Sequence, residues 1–236
     1  MLLTAGPDTV AWALSVLSFH LLIKPSILDR LTTELKTLVK NPKQLPSWSE
    51  LEQLPYLTAV ILESLRLSYG VVCRLARIAP DEALSYEGSF ETMGSTKPKQ
   101  YNYATPPGSA ISILTPLIHH NEDIFPDGAQ LQAGEMADAR GYTKNGFGEV
   151  PLELLKGNKT VHWNQVSQIN MTRWRTLADI ISLAYCELYL SISALVLRVV
   201  PWMNLFETTE KDAKYQGDLL APRTSRDSKG VRVIIE

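Results

Sequence analysis

Two pairs of polar residues combine side-chain types and spacings that could support chemistry. Asp8 and Thr9 place a carboxylic acid beside an alcohol, and Glu63 and Arg66 place opposite charges three residues apart. Neither pair by itself indicates a particular function. Glu and Arg at this spacing on a helix usually form a solvated ion pair that stabilises the helix by about 0.2–0.5 kcal/mol. Asp8 also has a purely structural interpretation, since Pro7 is favoured at the first position of a helix and an acid is favoured in the first turn.

The composition limits the classes of protein to which these pairs could belong. The chain has 236 residues, 45% apolar and 20% charged, which is enough for one sizeable domain or two small ones with a buried core. Its 23 basic and 25 acidic residues nearly cancel, so we expect no broad basic surface and no nucleic-acid partner. Cys73 and Cys186 are too few for a disulfide framework or a four-cysteine zinc site, although a single thiolate can bind a metal.

Two apolar stretches have the length of a membrane span. Residues 1–23 lack the basic n-region of a signal peptide and include Asp8, and an acid at the centre of a bilayer costs about 2.5–3.5 kcal/mol. We therefore predict a buried helix in that stretch. Residues 180–197 are interrupted by Glu187, which favours a core helix there too and leaves a membrane anchor as the less favoured alternative.

Helical periodicity dominates the first seventy residues. Residues 7–24 carry apolar side chains at spacings of three and four, and Pro25 closes this helix. A second amphipathic helix is predicted over 27–40. Ser49 precedes a short acidic segment in the manner of a helix cap, and residues 56–67 have the clearest helical stripe in the chain.

Beyond Gly70, the predicted end of that helix, the pattern changes to short extended segments. We expect strands within 71–78 and 84–86, a turn at 106–108, and a strand that passes into a short helix over 110–117. Helical periodicity is lost between residues 128 and 180, returns from residue 181 to Pro201, and is followed by a terminal strand over 231–235. The sequence therefore predicts a mainly α architecture with a minor β cluster.

Four segments, taken in order, resemble motifs of one family. Residues 5–9 (AGPDT) and 63–66 (ESLR) resemble the central-helix and ExxR motifs of the cytochrome P-450 superfamily, the haem-thiolate monooxygenases. Residues 106–127, from PPGSAIS to FPD, resemble the stretch before the haem loop in fungal members, and residues 183–189 (LAYCELY) resemble the helix that follows this loop. The order and spacing of all four segments, rather than any one of them, support the resemblance.

The resemblance implies roles for five residues. Asp8 and Thr9 would deliver protons to iron-bound dioxygen, for which short-range donors are needed in a site that excludes water. Glu63 and Arg66 would form a buried structural pair, completed by a second arginine, that positions the haem-binding region. Arg74 would bind a haem propionate, and the alternative is an ordinary surface arginine.

The family activity implied by the resemblance is insertion of one oxygen atom of O2 into a small organic substrate, in fungal secondary metabolism. The cofactor would be haem, and electrons would come from an NADPH-linked reductase. Members of this type are commonly bound to the endoplasmic reticulum, but we expect no anchor in this chain. The alternative function is that of a non-enzymatic helical interaction protein derived from the same fold.

The chain departs from the family where the iron ligand should lie. Members carry a Phe-x-x-Gly-x-Arg-x-Cys-x-Gly loop whose thiolate binds the iron, and this sequence has no such loop. Registration on residues 183–185 puts the ligand position near Ala178, which has no sulfur. Cys186 lies eight helical residues further, about 12 Å away, so we interpret it as a small buried residue. We therefore expect that haem retention is compromised, that no chain residue ligates the metal, and that the chain is inactive.

We expect a partial cytochrome P-450 fold that lacks its N-terminal part. Residues 1–127 would span the central helix to the segment before the haem loop, 128–180 would be an irregular insert replacing that loop, and 181–236 would supply the following helix and the terminal strands. The abrupt loss and return of family-like sequence suggests that 128–180 is translated from an unspliced intron or a shifted frame. Transcript reads that confirm the coding frame of this segment would contradict that hypothesis.

Overall fold

The computed structural model describes most of the chain outside the segment that lacks periodicity. The described residues are 2–70, 76–90, 99–112, 115–120, 129–131, 133, 174–219 and 221–236. The chain divides into two compact units. The first comprises Met1–Cys73, Thr115–Tyr142 and Leu177–Glu236, and the second comprises Arg74–Leu114 and Thr143–Thr176.

Helices form most of the described structure and short strand pairs form the rest. The helices are α1 (Leu2–Ile23), α2 (Pro25–Leu38), α3 (Trp48–Leu51), α4 (Pro55–Ser68), α5 (Thr115–His119), α6 (Trp174–Arg198) and α7 (Glu210–Ala213), with a 3-10 turn at Val200–Trp202. The strands are β1 (Arg77–Ile78), β2 (Leu84–Phe90), β3 (Lys99–Thr105), β4 (Ala110–Ile111), β5 (Met203–Leu205), β6 (Gly217–Leu219), β7 (Ala221–Arg223) and β8 (Val233–Ile235). The predicted mainly α architecture with minor β structure is confirmed.

Two prolines define the course of the first two helices. Pro25 lacks a backbone N–H and begins α2 directly after α1 ends at Ile23, and the two helices are bent by 109°. The predicted break at this position is confirmed. Pro7 is the sixth residue of α1, so the interpretation in which Pro7 starts the helix is wrong.

The cap of α3 differs from the prediction. We expected Ser49 at the cap, but the N-cap residue is Ser47. Its backbone N–H donates to Glu50 Oε2 at 3.0 Å, and the two side chains form a reciprocal capping box. Both serines have a glutamate three residues later, Glu50 after Ser47 and Glu52 after Ser49, so the sequence pattern alone does not distinguish the two positions.

The core of the first unit lies between α1, α2, α4 and α6. On α4, Leu57 and Ile61 of the predicted stripe are fully buried. Each such side chain contributes about 1.5–3 kcal/mol relative to an exposed one. They pack in one cluster with side chains from the other three helices, namely Leu17, Leu21, Leu31, Leu35, Leu188, Ile192 and Val196.

Helix α6 begins at Trp174, seven residues before the point where periodicity returns in the sequence. Within the described part of the chain, Leu183–Trp202 is one stretch long and apolar enough to cross a membrane, and the bent pair α1–α2 passes the same test when taken as one span. Such a result is also typical of a core helix. The face of α6 that carries Ile192 and Val196 lies in the core cluster.

The second unit contains two antiparallel strand pairs. β2 pairs with β3 in a seven-residue register that places Gly88 opposite Tyr101, and β1 pairs with β4. The Tyr86 ring lies over Gly88, where any Cβ atom would collide with it. Gly108 closes the predicted turn with a φ of +79°, and its N–H donates to Ala79 O at 2.8 Å.

Other expectations about the strands have mixed outcomes. The predicted segment 110–117 divides into β4 and α5, and the terminal strand is three residues long. Residues 71–75, including part of the first predicted strand, lie outside the described residues.

A carboxylate on α2 caps the N-terminus of α4. Glu34 accepts the backbone N–H groups of Tyr56 and Leu57 at 2.9 and 2.8 Å. These N–H groups lie in the first turn of α4 and have no partner within the helix. The negative charge also lies at the positive end of the helix dipole. Glu34 therefore fixes the position of α4 relative to α2.

Replacing Glu34 with Ala is expected to lower the free energy of unfolding by about 1–2 kcal/mol, because both N–H groups lose their acceptor. Urea denaturation measures the change. Asp29→Ala is the matched control, since Asp29 is an exposed carboxylate on the same helix. Equal losses in the two variants would show that the cap contributes nothing.

Candidate functional site: a buried ion pair and its histidines

The Glu63–Arg66 pair is buried, in contrast to the solvated pair usual at this spacing. Arg66 Nε donates to Glu63 Oε1 at 2.7 Å and Arg66 Nη2 donates to Glu63 Oε2 at 2.9 Å. Arg66 is 6% exposed and Glu63 is 1% exposed. This bidentate geometry matches the planar guanidinium to the carboxylate, and burial excludes the water that would otherwise weaken the pair.

Arg66 also connects α4 to two later segments. Its Nη1 donates to His119 O at 2.8 Å and its Nη2 donates to Gln130 O at 2.9 Å. His119 returns a hydrogen bond from Nδ1 to Arg66 O at 2.8 Å. Lys24 Nζ donates to Gln130 Oε1 at 2.7 Å, which ties the same segment to the end of α1. A second arginine in this network stays a prediction.

The predicted proton-delivery residues lie on α1. Asp8 is exposed and Thr9 is half-buried. One turn further, Trp12 Nε1 donates to Ser68 O at 3.1 Å and so joins α1 to the end of α4. The chemical roles of Asp8 and Thr9 stay predictions.

The positions relevant to iron are only partly described. Arg74 and Cys73 lie outside the described residues. Ala178 lies within α6, and Cys186 is half-buried rather than buried on the same helix. Among the residues that the structure describes, no group of three or more His, Cys, Asp or Glu side chains could hold a metal ion.

A cluster of histidines around Arg66 was missed by sequence reasoning. His20 on α1 and His120 after α5 line a cavity of about 30 Å³ together with Tyr69, Glu210, Lys214 and Tyr215. The Tyr69 hydroxyl is hydrogen-bonded to His120 Nε2. The adjacent pair His119-His120 was the available sequence feature, but nothing in the sequence shows that it lies near His20.

Burial and positive neighbours keep these imidazoles neutral. Burial, with Lys24 and Arg66, lowers the pKa of His20 from 6.5 to about 4. Burial is also the main reason why the pKa values of His119 and His120 lie below their usual range, and the Arg66 charge adds to both effects.

Replacing Glu63 with Gln is expected to lower the free energy of unfolding by about 3–5 kcal/mol, because Arg66 would keep a buried charge without its counter-ion. Chemical denaturation gives the value. Glu207→Gln is the control, since the side chain of Glu207 is 63% exposed and that of its partner Arg232 is 30% exposed, and loss of this pair should cost about 0–1 kcal/mol. Similar small losses for both variants would contradict a structural role for the buried pair.

Acidification is expected to destabilise the protein through His20. The folded-state pKa of about 4 is below the unfolded value of 6.5, so the stabilisation is complete above pH 6.5 and decreases as the pH falls toward 4. The full loss is about 3 kcal/mol. Urea denaturation across this pH range measures it, and His20→Gln should show a correspondingly shallower decrease. Parallel curves for the two proteins would contradict the assignment.

A comparison with known protein families covers the part of the chain that carries both polar pairs. The sequence profile of the family described as Cytochrome P450 matches residues 1–133. The matched residues include both Asp8-Thr9 and the Glu63–Arg66 pair.

Curated relatives are fungal proteins of the same family. The chain is 33% identical over 244 residues to the cytochrome P450 monooxygenase tpcC of Cochliobolus heterostrophus, with 99% of this chain and 41% of that protein covered. It is 34% identical over 240 residues to the cytochrome P450 monooxygenase ucsK of Acremonium sp., with 98% and 39% covered. The chain thus spans about two fifths of the length of these relatives.

A solved structure shows the same fold. The crystal structure of a cytochrome P450, CYP102L1, superposes with a TM-score of 0.61 at 16% sequence identity, covering 99% of this chain and 44% of that one. The buried ExxR pair therefore lies in a fold that corresponds to part of that structure. Because the family profile matches more than half of this chain, the chain belongs to the cytochrome P450 family.

Proposed function

We propose that this chain keeps structural elements of a haem-thiolate monooxygenase but does not itself bind haem through a thiolate or catalyse oxygen insertion. The observation that carries the proposal is the residue at the ligand position. By registration on the family, the axial ligand would lie near Ala178, which is part of α6 and has no sulfur. The chain has two cysteines, and neither replaces Ala178 in the sequence.

The parent activity is insertion of one oxygen atom of O2 into a small organic substrate. Both fungal relatives described above are named monooxygenases, which supports this reaction class and a role in secondary metabolism. Family members bind haem, whose thiolate ligand supplies the electron density that favours O–O cleavage, and they take electrons from a redox partner. For this chain the electron donor would be an NADPH-linked reductase.

Cys186 does not fit as a substitute ligand. Eight residues separate it from Ala178 on one helix, which corresponds to about 12 Å along the axis and about 80° of rotation around it. The residues that follow it, Leu188 and Tyr189, are buried in the core, and the Tyr189 hydroxyl is hydrogen-bonded to Thr58 Oγ1 at 2.8 Å. A shift of α6 that brought Cys186 to the ligand position would pull both side chains out of the core.

The role that this chain retains is then structural. Glu63 and Arg66 fix α4 to His119 and Gln130, a function that needs no bound cofactor. In the parent enzyme, Asp8 and Thr9 would move protons and Arg74 would bind a haem propionate. Neither role would serve oxygen insertion if the iron lacks its thiolate ligand.

Expression of the chain with ample haem supply is expected to give no absorption band typical of CO bound to a thiolate-ligated ferrous haem. The relative tpcC, expressed and reduced in the same way, serves as the positive control for the assay. Absence of the band from this chain, with the band present in the control, would agree with the proposal.

Appearance of the thiolate band in this chain would overturn the proposal. Cys73→Ser and Cys186→Ser would then identify the ligand, since only the variant that lacks the coordinating sulfur loses the band. A haem spectrum of a different type would still agree with the absence of a thiolate ligand, because histidine ligation shifts the CO band differently.

A further inference from the structure

The β2–β3 hairpin of the second unit carries different residue types on its two faces. Side chains alternate between the faces along each strand, and the register places the pairs Tyr86–Tyr103 and Gly88–Tyr101 on the same face. We call this face the tyrosine face, and we define it by Leu84, Tyr86, Gly88, Lys99, Tyr101, Tyr103 and Thr105. The opposite face is mostly polar and carries Ser85, Glu87, Gln100, Asn102 and Ala104.

The three tyrosine rings form a continuous stack. The ring centroids of Tyr86 and Tyr103 are 6.5 Å apart with an interplanar angle of 27°, and those of Tyr103 and Tyr101 are 6.0 Å apart with an angle of 15°. Lys99 Nζ lies 5.4 Å from the centre of the Tyr101 ring. Stacked rings and a cation over a ring face attract one another, so the tyrosine face is an ordered aromatic surface.

The tyrosine face is exposed to solvent rather than packed in a core. Tyr103 is 55% exposed and Tyr86 is 41% exposed. Of the residues that define the face, Gly88 alone is buried, under the Tyr86 ring. A two-stranded hairpin has little stability of its own until its apolar face is covered. An ordered apolar face that remains in water is typical of a surface that binds a partner.

We propose that the tyrosine face binds the tyrosine face of a second copy of the chain, with the two hairpins related by a two-fold axis and running in opposite directions. This contact goes beyond the proposed function and needs no haem.

The charges at the two ends of the hairpin favour this partner and this orientation. Lys99 is the first residue of β3, at the turn end of the hairpin, whereas Asp81 and Glu82 lie directly before β2, at the opposite end, and all three are exposed. When the hairpins run in opposite directions, the turn end of each lies over the base of the other, so each lysine meets acids of its partner. Hairpins that run in the same direction would instead bring like charges together, which disfavours that arrangement.

The position of the tyrosines also suits a two-fold contact. The middle of the seven-residue register is the pair Glu87–Asn102, and the two pairs that carry the tyrosines lie one residue to either side of it. A two-fold axis at this point places the Tyr86–Tyr103 pair of one copy over the Gly88–Tyr101 pair of the other. Tyrosines at the centre and charges at the rim are the usual arrangement of a specific interface. Because the face is small, we expect a weak and reversible dimer.

An anionic membrane surface fits the hairpin less well. The tyrosine face carries a single lysine, while the carboxylates of Asp81, Glu82 and Glu87 lie in the same stretch of chain. Anionic lipids attract clusters of basic residues and repel carboxylates. The charges therefore favour a partner that has both signs, as a second copy does.

Sedimentation velocity of the intact chain over a series of concentrations tests the contact, and we expect a monomer–dimer equilibrium. Tyr103→Ser should raise the Kd at least about tenfold, because it removes a ring from the centre of the interface. Asn102→Ser is the matched control, since Asn102 is the neighbouring exposed residue on the opposite face of β3, and its Kd should equal that of the unmodified chain. A chain that stays monomeric at about 1 mM, or a dimer that Tyr103→Ser does not weaken, would overturn the proposal.

Charge reversal tests the orientation without removing a ring. Lys99→Glu alone and Asp81→Lys/Glu82→Lys alone should each weaken the dimer, and all three changes in one chain should restore it, because the opposite charges meet again. A combined variant that associates no better than the single ones would contradict the opposed hairpins.

Vesicles of phosphatidylserine and phosphatidylcholine test the other occupant. The chain should not bind them. Vesicle binding by a chain that stays monomeric, with loss of this binding in Tyr103→Ser, would assign the tyrosine face to a membrane and refute the contact between copies.

Discussion

The first unit depends on one guanidinium that has been removed from water. Arg66 can be buried only because Glu63 neutralises it in a bidentate pair and because backbone carbonyl groups of His119 and Gln130 accept its other N–H groups. The two carbonyl acceptors lie 53 and 64 residues further along the chain, so the electrostatic requirement of one side chain fixes three parts of the chain. The same requirement places α5 beside the end of α4.

The hydrogen bonds described for this network join groups of the protein itself. The buried pair Glu63–Arg66 is present, whereas the position that we propose for the iron ligand, near Ala178, carries no sulfur. Folding and catalysis can separate in this way because the buried pair is satisfied by carbonyl and carboxylate oxygens of the protein itself. The proposed loss of a metal ligand would leave these contacts intact.

Much of the helical architecture could be predicted, because it reflects local patterns. The break at Pro25 follows from a missing N–H group, and the buried stripe of α4 follows from apolar residues at helical spacing. The cap of α3 was predicted at Ser49 but lies at Ser47, because each serine is followed by a glutamate three residues later and only the backbone geometry decides between them. The start of α6 was missed because its first turns lack a clear apolar stripe.

The sequence alone determined the family motifs, the helical periodicity and the absence of a cysteine at the expected ligand position, because each depends on residue identity and spacing along the chain. Only the tertiary structure decided that Glu63 and Arg66 are buried rather than solvated, and that His20 lies near His119 and His120. Burial and charge proximity are properties of segments that meet in space. The pKa of a side chain and the strength of an ion pair depend on how much water the packed segments exclude and on which charges they bring close together.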